Sequence, residues 1–203
     1  LLKMNMDRKF LTNVATSGEA AMHAINKNQF GQTFYHLGPP RDTSVFEKVK
    51  DNRTDLQSCD FILCTGLFDD YDNDLDYYKK FLFNHVSKKL ICTNPDLIVH
   101  RGNVEELCAG SIAKVFEDLG GEVVYFGKPH SEVYNMCFSS NEKVLAIGDN
   151  LRTDIKGANN LKIDCIFISK GVHRNEFDNF SELNKLLDKY GVKANFFQRE
   201  LKW

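Results

Sequence analysis

The chain has 203 residues, 42% of them hydrophobic, and a formal net charge of −2. That is enough apolar material for the core of one large or two modest domains, and the near-neutral charge excludes the strongly basic field that nucleic acid attracts. No apolar run approaches the roughly 18 residues of a membrane span and no signal-peptide pattern is present, so a cytoplasmic protein that meets neither membrane nor nucleic acid is expected.

Taken in order, residues 17–26 read as a helix, capped by Thr16 or Ser17 with Glu19 in its first turn. Residues 32–37 form a short strand closed by Gly38-Pro39-Pro40, a strong turn signal. A buried strand at 61–65 leads through an acidic loop, 66–76, into a helix that continues to Val86. Another strand occupies 90–93, a helix 112–119 ends at Gly120-Gly121, and a strand follows at 122–126. It leaves through Gly127-Lys128-Pro129-His130, where glycine permits a tight exit and proline opens the next helix. A strand at 144–147 stops at Gly148-Asp149, a helix opens at Arg152, a final parallel strand spans 163–169, and a closing helix 181–190. Strands alternating with helices imply parallel βαβ units and an α/β fold. No internal repeat or low-complexity tract interrupts the pattern.

The chemistry concentrates in VLAIGDNLRTDIKGANN, residues 144–160. Asp149 and Asp154 sit at a strand–loop–helix junction, the carboxyl-end position at which open α/β sheets hold their ligands. Oxygen-only side chains of this kind suit a hard cation such as Mg²⁺. The same two residues also fit a plainer role, Asp149 ending a strand and Asp154 favouring a helix N-terminus. Lys128, at the exit of the 122–126 strand, is expected at the same sheet edge as Asp149, where an ammonium steadies paired acids and neutralises a phosphoryl group.

These segments carry a resemblance. GKPHSEVY (127–134) and IGDNLRTDI (147–155) resemble the third and fourth motifs of the haloacid dehalogenase (HAD) superfamily. CTNPDLIVHRG (92–102) and CAGSIAKVFEDLGG (108–121) resemble its class IIA branch, the NagD-like phosphatases, and so do ATSGEA, FYHLGPPRD and FILCTGLFDD further upstream. The resemblance implies a Rossmannoid parallel-sheet core with an α/β C2-type cap: residues 1–13 a remnant of the N-terminal core, 14–104 the cap, 105–203 the core. It further implies a Mg²⁺-dependent phosphatase acting on a small phosphorylated metabolite through an aspartyl-phosphate, with a homodimer formed through the cap. Lys128 would steady the nucleophile and phosphate, Asp149 would bind Mg²⁺, Asp154 would support the metal shell and act in catalysis, and Asn150 would orient the metal ligand. Asn94 and Asp96 would face the mouth of the active site and touch substrate, although Asn and Asp beside Pro95 also make an ordinary turn.

The chain departs from that pattern at its start. No strand before the expected cap ends in Asp-x-Asp, the second motif is missing as well, and Asp7 follows no strand. The expectation is therefore a polypeptide inactive as it stands, belonging to an intact phosphatase, whose core sheet exposes apolar surface. The alternative is a non-catalytic binding or dimerisation module that retains only the phosphate and metal edge. Asp69 to Asp74 lacks the glycine and terminal glutamate of a calcium loop and reads as solvated. Ser17-Gly18 is not assigned to phosphate, and His100-Arg101 is read as surface. The six cysteines lack CxxC spacing, which excludes zinc, and Cys64, Cys92, Cys137 and Cys165 lie in apolar runs as reduced, buried thiols.

Overall fold

The structure, a computed structural model, describes residues 7, 9, 14–102, 104–139 and 141–202. Apart from Asp7 and Lys9, the N-terminal remnant expected at 1–13 lies outside the described residues. Helix α1 spans Ser17–Asn26 and opens with a capping box: the Glu19 N–H donates to Thr16 Oγ1 at 3.1 Å, and the Thr16 N–H donates to Glu19 Oε2 at 3.0 Å.

Strands β1 (Phe34–Leu37), β2 (Phe61–Cys64), β3 (Lys89–Cys92) and β6 (Glu122–Tyr125) pair in that order, all parallel. Alternation along each strand supplies two cores. Ile62, Cys64, Leu90 and Cys92 pack against Tyr78 and Leu82 of α2 (Leu75–Leu82) and Ile112 and Phe116 of α3 (Ala109–Asp118). Phe61, Leu63 and Ile91 pack on the opposite face, against Ala21, Ala24 and Ile25 of α1 and against Phe46. Burial on both faces explains why these strands read as unbroken apolar runs rather than alternating ones. Phe46 anchors a 3₁₀ stretch, Pro40–Asn52, where no element is predicted: the stretch is charged, and Phe46 and Val49 leave helical geometry, so no amphipathic period forms. A two-stranded antiparallel hairpin, β4 (Ile98–Arg101) and β5 (Val104–Leu107), also goes unpredicted; neither strand has a buried residue among those described, so the usual apolar signal is absent.

The third sheet is parallel, in the order β7 (Leu145–Gly148), β8 (Asp164–Ile168) and β9 (Phe196–Gln198). On one face, Cys165 and Phe167 meet Leu151, Ile155 and Ala158 and the α6 residues (Phe180–Tyr190) Leu183, Leu186 and Leu187. On β7, Leu145 and Ile147 are 47% and 39% exposed, and Phe196 on β9 is 55% exposed, so this sheet carries the exposed apolar surface expected of it.

Four expectations change. A division at residue 104 would separate β3 from β6, yet those strands form one ladder from Lys89↔Glu122 to Cys92↔Tyr125. Lys128 and Asp149 consequently leave different sheets, not one common edge. The helix after Pro129 begins at Ser131 and is a single turn, α4 (Ser131–Tyr134). Cys137, expected to be buried, is exposed on the turn that follows it; Cys64, Cys92 and Cys165 are buried, and all six thiols are free. No helix among the described residues is long and apolar enough to cross a membrane.

Candidate active site

Two residues beyond β6 lies Gly127, whose φ of +109° few side-chain-bearing residues adopt and whose missing Cβ would lie 2.8 Å from Ser17 Cβ and 2.9 Å from Pro95 Cδ. This close passage under α1 and the 94–96 loop delivers Lys128 across to the other sheet. Its Nζ donates to Asp154 Oδ1 at 2.5 Å, with the lysine side chain 49% and the aspartate side chain 11% exposed. Burial works against the ammonium, but Asp154, with Asp96 and Asp149 behind it, outweighs burial and raises the Lys128 pKa above the ordinary lysine value.

Asp154 is held on its other side as well. Its Oδ2 accepts the N–H groups of Asp149 and Asn150, each at 3.1 Å. It lies in a π-helical turn, Leu151–Ile155, that precedes α5 (Lys156–Leu161), where a regular helix from Arg152 is predicted. The extra backbone folds the carboxylate back onto the strand exit, making room possible only because Gly148 has no Cβ: one would stand 2.3 Å from Asp154 Cβ. Both Asp154 oxygens are thus engaged by protein donors, and the residue braces the loop.

Asp149 Oδ2 accepts the Val172 N–H at 3.0 Å. Gly171 lets that contact form, since a Cβ there would fall 2.0 Å from the same oxygen. Asn150 caps the turn through Arg152 N–H at 2.9 Å and donates from Nδ2 to Asp96 Oδ1 at 3.0 Å, joining the two halves. Burial raises the Asp96 pKa; Lys128 opposes this and Asp154 adds to it. The Leu151 N–H donates to Nε2 of the fully buried His173, at 3.1 Å, and His173 Nδ1 meets Glu176 Oε1 at 2.5 Å.

Lys128, Asp96, Asp149, Asn150 and Asp154 line one cavity of about 280 Å³, so five of the six predicted site residues converge. Asn94 does not line it. Its Oδ1 instead accepts the Asp96 N–H at 3.2 Å, and the residue borders an adjoining 290 Å³ cleft shared with Asp96 and Lys128. The cavity also takes in Thr153, Gly171, Val172 and Arg174, which the sequence reading passed over, and His100, which it placed on the surface. The signal for the 171–174 group was its position, directly after a parallel strand on the ligand-binding side. Arg101, by contrast, is exposed and paired with Glu106 Oε1 at 2.9 Å, as expected for surface.

For a divalent ion the donor set offers on Asp149 one engaged oxygen and one with no hydrogen-bond donor among the described residues, with the Asp96 carboxylate on the same cavity. That suits Mg²⁺, which takes one or two carboxylates and keeps several waters. A fuller protein cage is absent: no three His, Cys, Asp or Glu side chains among the described residues converge to hold a metal.

Residues 125–186 match the model of a family described as HAD-hydrolase-like. Among solved structures, a haloacid dehalogenase-like hydrolase from Brucella suis is 26% identical, with a TM-score of 0.77 over 93% of this chain and 72% of its own. A 4-nitrophenylphosphatase from Thermotoga maritima is 25% identical, with a TM-score of 0.65 over 92% of this chain and 69% of its own. A p-nitrophenyl phosphatase from Archaeoglobus fulgidus, 16% identical, shares the fold at a TM-score of 0.64 over 95% of this chain and 76% of its own. No match was found among curated proteins. The chain is an α/β protein with parallel sheets, similar in sequence to the HAD-hydrolase-like family over 125–186 and similar in fold to a haloacid dehalogenase-like hydrolase over most of its length.

Proposed function

We propose that this chain recognises a phosphomonoester together with Mg²⁺, in a hydrolase of the phosphatase kind. The observation that carries this is the convergence of Lys128 from one sheet and Asp149 and Asp154 from another on one cavity at strand exits. An ammonium there neutralises phosphoryl oxygens, and Asp149, with Asp96 beside the cavity, would hold a Mg²⁺ that adds further positive charge. Asp154 positions the Lys128 ammonium and the 149–150 backbone. The similarity to the solved 4-nitrophenylphosphatase from Thermotoga maritima supports this reading.

No strand among the described residues ends in Asp-x-Asp, so no nucleophile is assigned here. That observation favours a second reading, in which the described residues bind phosphate and metal without turning over substrate. We also place the cap at the four-stranded sheet with its hairpin, and the core at the three-stranded sheet, in a cytoplasmic protein acting on a small phosphorylated metabolite and dimerising through the cap. Free thiols are in keeping with that compartment.

Calorimetric titration of inorganic phosphate with and without Mg²⁺ tests the site, and p-nitrophenyl phosphate turnover separates the two readings. Mg²⁺-dependent phosphate binding that D149N abolishes supports the assignment; phosphate binding indifferent to both Mg²⁺ and D149N overturns it. Turnover supports the hydrolase, and binding without turnover supports the second reading.

A further inference from the structure

The cavity holds two groups that the phosphate reading leaves idle. His100, on the β4–β5 hairpin, borders it with a side chain only 23% exposed, and its Nδ1 is buried with no hydrogen-bond partner among the described residues. A buried ring nitrogen without a partner is costly, so a turn of the imidazole that brings it into the cavity against a ligand acceptor would be favoured. Its other nitrogen, Nε2, points 3.9 Å from Glu105 Oε2, too far for a hydrogen bond.

Arg174, on the loop after β8, borders the same cavity and forms no ion pair with any described residue, whereas Lys128 is committed to Asp154. With Lys128 and a divalent ion facing the phosphoryl group, the guanidinium remains as uncompensated positive charge on the rim. Its planar fork is suited to a carboxylate or phosphate.

We infer that His100 and Arg174 together form a subsite for a second anionic group on the substrate, so that the preferred ligand is a small phosphomonoester whose alcohol portion carries a carboxylate or another phosphate. This rests on the phosphate reading above and adds a specificity to it. The phosphoryl end lies against Lys128, and the second anion reaches across the cavity to the hairpin and the 171–174 loop.

D-3-phosphoglycerate and sn-glycerol 1-phosphate, which share the configuration at C2, form a matched pair of probes, differing in a carboxylate against a hydroxymethyl group. Calorimetry on the full chain with Mg²⁺ is expected to give about tenfold or more tighter binding of the carboxylate compound, the range of a charge-assisted hydrogen bond. In R174Q and in H100A that ratio should fall towards one; Arg174 is exposed, so its replacement leaves no packing to repair. Equal affinities for the two probes in the unaltered chain overturn the subsite while leaving phosphate recognition intact. A ratio that survives both substitutions places the anion elsewhere and overturns it too. Failure of both probes and of inorganic phosphate to bind removes the phosphate reading and the subsite together.

Discussion

Replacing Gly171 by alanine puts a methyl group where the Asp149 carboxylate lies. The added Cβ would stand 2.0 Å from Oδ2, 2.1 Å from Cβ and 2.4 Å from Cγ of Asp149, against an ordinary contact of 3.4 Å or more. No rotation of the alanine relieves this, because the clash includes the Asp149 Cβ, so the two loops must part by about 1 Å. The 3.0 Å hydrogen bond from the Val172 N–H to Asp149 Oδ2 would then be lost. Overpacking costs about 1–3 kcal/mol and a half-buried hydrogen bond about 1 kcal/mol, so G171A should lose about 2–4 kcal/mol. For a chain of this length that lowers Tm by about 5–15 °C. Thermal unfolding followed by circular dichroism measures it. The double variant D149G/G171A removes every atom that clashes, so its loss should fall short of the summed single losses by about 1–3 kcal/mol. A G171A chain that unfolds within about 0.5 kcal/mol of the unaltered one, or strict additivity in the double variant, refutes the packing argument.

K128M strips the ammonium from Asp154 and should cost about 1–2 kcal/mol, discounted because the lysine is half exposed. Its folded pKa is raised, so the contribution is full below the ordinary lysine value of 10.5 and disappears as pH climbs through the folded value; denaturant melts at neutral and strongly alkaline pH should show the difference shrinking. D96N acts in the opposite sense. Burial raises the Asp96 pKa above 3.8, so ionising it at neutral pH costs stability, and the amide should unfold at higher urea than the parent in metal-free buffer, with the gap closing in acid below that pKa. An unchanged or lower midpoint at neutral pH would contradict this. T16A removes the capping box of α1 and should cost about 1 kcal/mol, with T16S restoring most of it; equal unfolding of T16A and T16S would remove the cap from the account.

The parts that were legible in the sequence are those with a strong local cause. Thr16 and Glu19 announce α1 to the residue, and the runs FILC and LIC announce strands buried on both faces. Lys128, Asp149 and Asp154 were legible from strand exits and motif, and they do meet. What pairing strands adopt is a long-range matter, so the ladder joining β6 to β3 could not be read from either segment, nor could the fact that Lys128 crosses between sheets. The hairpin at 98–107 carries charged and exposed positions on both strands, and β9 is only three residues long, so neither offers a periodic signal. His100 escaped for a related reason: its neighbour Arg101 is solvated, and on a β-strand adjacent side chains face opposite ways, so one of the pair points to water and the other inward.

The Lys128–Asp154 contact is a clasp across a seam. One half of it belongs to the four-stranded sheet and the other to the three-stranded one, and Asn150 to Asp96 is a second stitch in the same place. Whatever fills the cavity between them therefore acts as a rivet: its binding energy is added to the cohesion of both halves at once, by RT ln(1 + [L]/Kd). Phosphate bound there should slow proteolytic nicking of the segments that join the halves, while loss of the clasp should let them be cut faster, without any change in either sheet.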